Sequence, residues 1–233
     1  MKKTLAFVVI AIAVHLCTTK LYAQDENRKY DIKNSLQISV MPLSSYDSNP
    51  RYRVGLEYII KSKRSISVDI GYGSSDINRE SIDDNSVGNN YSLLEIRPEF
   101  KKYLNINNYI GFYFGPELFY INMKNRLKDD RFFDYDEDKT FSFDFANVEM
   151  KKYGFHIKGG FKATIANIIT FDIYGGIGYR IRNTEYSNIV NQYESDYSGI
   201  FSSLNNGYKN QGVSGNLSLA LGARIGIVLW SSK

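Results

Sequence analysis

Acid–base chemistry in this chain would have to pass through His156, because the other histidine, His15, lies in a leading segment that reads as an export address. A catalytic histidine needs a hydroxyl to deprotonate and an acid to orient it, all within hydrogen-bond reach. One histidine without cysteine partners falls short of a zinc site, and the single cysteine, Cys17, is in the same leading segment. Asp134, Asp136 and Asp138 have the alternate spacing that opens a calcium loop. Lys139 stands where that turn requires glycine, however, and Phe145 where the closing bidentate glutamate belongs. A solvated acidic link is the expectation there. Gly175-Gly176-Ile177-Gly178 suggests a phosphate cradle, but the dinucleotide fingerprint needs a further glycine and opens a helix, whereas these lie in an alternating run. No cofactor, metal or catalytic site is expected.

The leading segment has the parts of a signal peptide: Lys2 and Lys3, then apolar Leu5 to Leu16, then Leu21-Tyr22-Ala23 ahead of Gln24. Residues 1–23 are therefore expected to be removed, leaving 24–233 as one domain. Val14-His15-Leu16 before Cys17 lacks the small residues that lipoprotein processing favours. Cleavage after Ala23 leaves 210 of the 233 residues and no cysteine, so a disulfide framework is excluded. Lys2, Lys3 and Lys20 are three of 29 basic residues; the remaining 26 face 25 acidic ones, which is not the positive field of a nucleic-acid binder. Beyond the leader no stretch approaches the roughly 18 to 20 apolar residues of a membrane helix.

Alternation organises the rest. From Asn216 to Trp230, Leu217, Leu219, Leu221, Ala223, Ile225, Ile227 and Leu229 form one wholly apolar face, and the intervening residues are mostly small or polar. Successive strand side chains point to opposite faces, so this is a strand with one greasy surface. Lys152 to Ile165 and Ile169 to Arg182 repeat the pattern, joined through Ala166-Asn167 at hairpin spacing. Five earlier runs, around Leu36 to Val40, Val54 to Ile60, Ile66 to Tyr72, Leu94 to Lys101 and Ile110 to Tyr120, fit less perfectly. That predicts about eight strands of about ten residues, the length a tilted strand needs to cross hydrocarbon. Short links at Ser62-Lys63, Asn105 to Asn108 and Ala166-Asn167 alternate with long ones at Pro42 to Arg51, Ser74 to Asn90, Met123 to Met150 and Asn183 to Gly212.

The placement of charge decides what encloses the strands. The polar face combines charges with many glycines, as a narrow filled lumen needs. Turned inward, it brings Glu57, Asp69, Glu95, Glu99, Glu117 and Asp172 together with Arg97, Lys101, Lys158, Lys162, Arg180 and Arg224, with Arg53, Lys61 and Arg182 on the same parity. The opposite orientation would set Arg224 or Lys158 against lipid at a cost of roughly 2 to 4 kcal/mol each. Tyr72, Tyr120, Tyr153 and Tyr179 fall on the outward parity near the long-link ends, where an aromatic girdle belongs. His156 then faces the lumen, and a hydrogen-bonded structural histidine is expected, because acting on an acyl chain requires access from the lipid side or the rim. Pro98 and Pro116 interrupt two strands and predict a local bulge or kink at each.

With this strand pattern, loop alternation and terminal strand from Leu217 to Trp230, the chain resembles the small outer-membrane β-barrel family of Gram-negative envelopes over residues 30 to 230. It departs from that family in ending Ser231-Ser232-Lys233 after Trp230. The resemblance implies an all-β, closed, antiparallel up-and-down transmembrane barrel with short periplasmic turns and long extracellular loops. It implies outer-membrane lipid and the barrel-assembly machinery as partners. A non-enzymatic protein is expected, with aromatic long loops available to a surface ligand; the alternatives are a lipid-modifying enzyme (acyl hydrolase or acyltransferase) and a narrow channel.

Overall fold

The computed structural model describes residues 34–46, 49–60, 63–75, 90–106, 110–134, 137, 139–166, 168–195 and 210–231. The expected signal peptide lies outside the described residues, as do Lys61, Tyr135, Asp136, Asp138, Tyr197, Phe201 and Tyr208. The strands are β1 (Ser35–Val40), β2 (Tyr52–Ile60), β3 (Arg64–Ser74), β4 (Ser92–Ile106), β5 (Ile110–Asp134), β6 (Lys139–Ile165), β7 (Ile169–Val190), β8 (Tyr193–Glu194) and β9 (Asn210–Ser231), with a 3-10 turn over Pro42–Tyr46. Each of β1 to β6 pairs antiparallel with the next, β7 pairs with β9, and β9 returns to β1. The result is a closed ring of eight strands, with two-residue β8 attached at Phe141 and Ser142 of β6.

The wall of this ring is uneven. β1 has 6 residues, β2 has 9 and β3 has 11, whereas β5 has 25, β6 has 27 and β9 has 22. One of the long links expected from the sequence is thus largely strand, since β5 and β6 stay paired up to Asp134 opposite Lys139, and another begins as strand, since β7 runs on to Val190. The reason is a change of facing. Below Tyr120 and Tyr153 the outward side is apolar and the inward side charged. Above them Lys124, Arg126 and Lys128 point out, while Met123, Leu127, Phe132, Phe143, Ala146, Val148 and Met150 are buried. The upper reaches have the ordinary soluble pattern, polar outside and apolar inside, so a search for an apolar outer face loses them. At the top, β9 leans across to β5, with Phe133 opposite Asn210 and Asp134 opposite Gln211.

The prolines also differ from expectation. Register runs unbroken through both: Pro98 faces Val68 on β3, and Pro116 faces Ile157 on β6. Between β4 and β5 the pairs Ile96 with Tyr120, Glu99 with Glu117 and Lys102 with Phe114 stay in phase, and the only irregularity falls later, between Tyr103 and Asn105. Both missing N–H groups drop out of the same β4–β5 seam, while β3 and β6 hold the two strands from their other sides. Two of the short turns rest on residues with positive φ, Lys63 (63°) and Ala166 (50°).

Candidate functional site: the charged lumen and its histidine

The inward face of the lower ring carries a continuous chain of ion pairs built from neighbouring rungs. Glu95, wholly buried, accepts from Arg51 Nε, from Arg53 through Nε at 2.8 Å and Nη2 at 3.0 Å, and from Arg97 Nε at 2.6 Å. Arg97 reaches on to Glu117 at 2.8 Å, and Lys158 joins Glu117 at 2.8 Å to Glu99 at 3.1 Å. Arg224 spans Asp69 and Glu99 at 2.8 Å and Asp172 at 3.0 Å. Lys101 bridges Asp172 at 3.1 Å and Glu57 at 2.8 Å, and Lys162 ends the chain on Glu57 at 2.6 Å and Gln37 at 3.0 Å. Six carboxylates and seven cations are thereby joined among the described residues. Burying such charges is costly unless each is paired and hydrogen-bonded, so the network survives only as a whole.

Tyrosines finish the packing. Tyr103 donates to Glu57 at 2.9 Å and Tyr113 to Asp172 at 2.7 Å, and the two rings lie 5.5 Å apart. Tyr174 lies flat across Gly222 on the adjacent strand, where any Cβ would overlap its ring, and carries Lys158 Nζ at 3.9 Å and the Arg224 guanidinium at 4.6 Å over its face. Small residues on one strand thus make room for large inward ones on the next.

Of the thirteen lumen residues expected from the sequence, twelve are tied into this network. Arg180 is inward-facing and half-buried but has no carboxylate within ion-pair distance among the described residues. Arg51, Tyr103 and Ser218 are further members that parity did not single out as functional. Arg51 comes from what reads as a link, and for Ser218 only the β6–β7–β9 register reveals the neighbour.

That neighbour is His156. Its Nε2 lies 2.9 Å from Ser218 Oγ and its Nδ1 lies 3.0 Å from Glu117 Oε1, and the ring stacks on Phe119 at 4.8 Å. Hydroxyl, imidazole and carboxylate therefore stand in line, the arrangement in which a histidine can take a serine proton while an acid orients it. All three are buried, but His156 and Ser218 line a cavity of about 240 Å³.

The other sequence candidates come to less. Asp134 is buried at the top of β5 and accepts the Glu137 backbone N–H at 3.4 Å, and Asp136 and Asp138 lie outside the described residues. Gly175, Gly176 and Gly178 lie in the middle of β7, paired on both sides, with no helix following. Of the aromatic residues in the long links, Phe132 stacks on Tyr186 at 4.4 Å and lies 6.1 Å from the Phe143 ring, whereas Tyr193 is exposed. At the upper edge of the hairpin Lys139 donates to Glu194 at 2.8 Å, which raises the lysine's pKa, but both groups are exposed and such a pair contributes little to stability.

No family model matches the chain, and no curated protein matches it. Among solved structures the chain is similar to a major outer membrane protein from Thermus thermophilus, at 10% identity and a TM-score of 0.35, over 84% of this chain and 98% of that one.

Proposed function

We propose that the protein is an outer-membrane β-barrel of a Gram-negative envelope, whose salt-bridged body is fixed in the bilayer and whose tall β5–β6–β7 wall projects from the cell. One observation carries this reading: a belt of exposed apolar side chains encircles the ring while its charges are neutralised inside. The belt includes Leu56, Ile70, Ile96, Phe114, Leu118, Ile157, Ile177 and Leu219, topped by Tyr72, Tyr120, Tyr153 and Tyr179. Soluble proteins rarely expose contiguous apolar surface on this scale. In hydrocarbon the same surface is the favourable one, and strand-to-strand pairing satisfies most of the ring's backbone without water. The role is non-enzymatic, envelope integrity or surface contact through the projecting hairpin. The partners are outer-membrane lipid, the assembly machinery that would read β9, and a surface ligand.

The test is heat-modifiable migration of membrane-extracted protein combined with trypsin treatment of intact cells. Cleavage within 124–139, with Lys63 in a short turn protected, supports the reading. Cleavage at Lys63 alone would invert the orientation, and recovery as a soluble periplasmic species would end it.

A second reading has its own observation, the Ser218–His156–Glu117 line beside a cavity. It makes the protein an acyl hydrolase, with Ser218 Oγ attacking an ester carbonyl as its proton passes to His156 Nε2. The leaving alcohol takes that proton, and water then releases the acyl group from Ser218. A fluorophosphonate adduct on Ser218, lost in His156→Ala, supports this second reading; an unlabelled, folded protein dismisses it.

A further inference from the structure

The ring has a window in one side. β1 stops at Val40, opposite Ile225, and the chain then folds into the Pro42–Tyr46 turn instead of continuing beside β9. Among the described residues, β9 has a strand partner on that side only from Ile225 to Ser231 below and at Asn210 and Gln211 above. The stretch between has, among the described residues, no strand partner on that edge. Its other edge is held by β7, with Leu219 opposite Ile177, Leu221 opposite Gly175 and Ala223 opposite Ile173, the middle of the apolar belt. Leu221 is 84% exposed and Leu219 70%, against 53% for Ile177, which has paired strands on both sides. A bare strand edge at this height is costly in hydrocarbon, since its N–H and C=O groups lack water to bond.

Behind the window lie two adjoining cavities. The outer one, about 350 Å³, lies between Leu43 and Ser44 of the turn and Leu221 and Gly222 of β9. The inner one shares Arg51 and Arg53 with it and adds Arg97, Lys152 and Arg180. Their linings hold five cations and no carboxylate. Two carboxylates lie beyond the linings: Glu95 is shared by Arg51, Arg53 and Arg97, and Glu117 takes Arg97 as well. An apolar entrance at bilayer height thus leads to a chamber whose lining carries cations and no carboxylate.

We infer that this window admits an anionic lipid from the surrounding bilayer. Its headgroup rests among Arg51, Arg53, Arg97, Lys152 and Arg180, and its acyl chains trail out past Leu219 and Leu221. The headgroup supplies charge to the chamber and polar partners to the bare β9 edge. The inference rests on the reading that the apolar belt lies in a membrane.

The experiment uses the whole mature protein, refolded into vesicles of equimolar phosphatidylglycerol and phosphatidylcholine, floated after a urea wash and examined by native mass spectrometry. One retained phosphatidylglycerol, in clear preference to phosphatidylcholine, is the expected result. Arg180→Gln and Lys152→Gln should each weaken that preference roughly fivefold, as loss of one lipid-facing cation does. Leu43→Trp, at an exposed position in the turn, should narrow the window and lower retention without touching the cations. Heat-modifiable migration checks that each variant is folded. Equal retention of the two lipids by floated protein overturns the inference and leaves the membrane reading standing. Displacement of the lipid by an equal concentration of soluble glycerol phosphate assigns the chamber to a free anion and overturns it too. Failure to float defeats the membrane reading and the inference with it.

Discussion

Asp172 shows how individual side chains hold this molecule together. It receives Lys101 at 3.1 Å, Arg224 at 3.0 Å and the Tyr113 hydroxyl at 2.7 Å, all buried. Asp172→Asn keeps the shape and removes the charge, leaving two buried cations under-compensated. Breaking one side of a buried pair typically costs about 3–5 kcal/mol. The urea midpoint of the refolded protein should fall accordingly; an unchanged midpoint would show that the network is not structural. Gly222→Ala acts through packing, since the added methyl displaces the Tyr174 ring that lies over Lys158 and Arg224. A loss of about 1–3 kcal/mol is expected from such overpacking, read in the same titration. Parity identifies which charges of the lower ring point inward, because side chains alternate along a regular strand. It does not identify partners: Lys101 and Glu57, or His156 and Ser218, meet only once rungs are aligned and the ring is closed.

At the scale of elements, the β4–β5 seam is the informative one. Pro98 and Pro116 remove donors from the same ladder, yet their outward rings cause no bulge because β3 and β6 pair with the other edges. Pro98→Val should therefore return one ladder hydrogen bond between β4 and β5 and stabilise the fold by roughly 0.5–1.5 kcal/mol. A destabilised variant would show that the proline ring, not the missing bond, is what the seam requires. The eight strand cores were readable from period-two alternation alone. Their upper reaches were not, because the sequence from Lys124 to Asp144 keeps alternating with the faces exchanged, charged side out and Leu127, Phe132 and Phe143 in. An outward-apolar criterion has no purchase on a strand whose outer face is charged.

For the whole molecule, the filled lumen predicts an absence of conductance. Lys101, Lys158, Glu95 and Glu117 are wholly or almost wholly buried at the level of the belt, so no water reaches them. Planar-bilayer recordings should show no discrete steps from folded protein, and regular steps would sink the closed-body reading. The amino-acid order by itself determined an all-β chain, the number of principal strands in the ring and the face each side chain takes, because all three follow from local alternation and the expense of charge in lipid. Only the tertiary structure decided the unequal wall, the window beside β9 and the Ser218–His156–Glu117 line. Those depend on where one strand stops relative to another and on which rungs meet across 62 residues of sequence, distances over which no local pattern carries information.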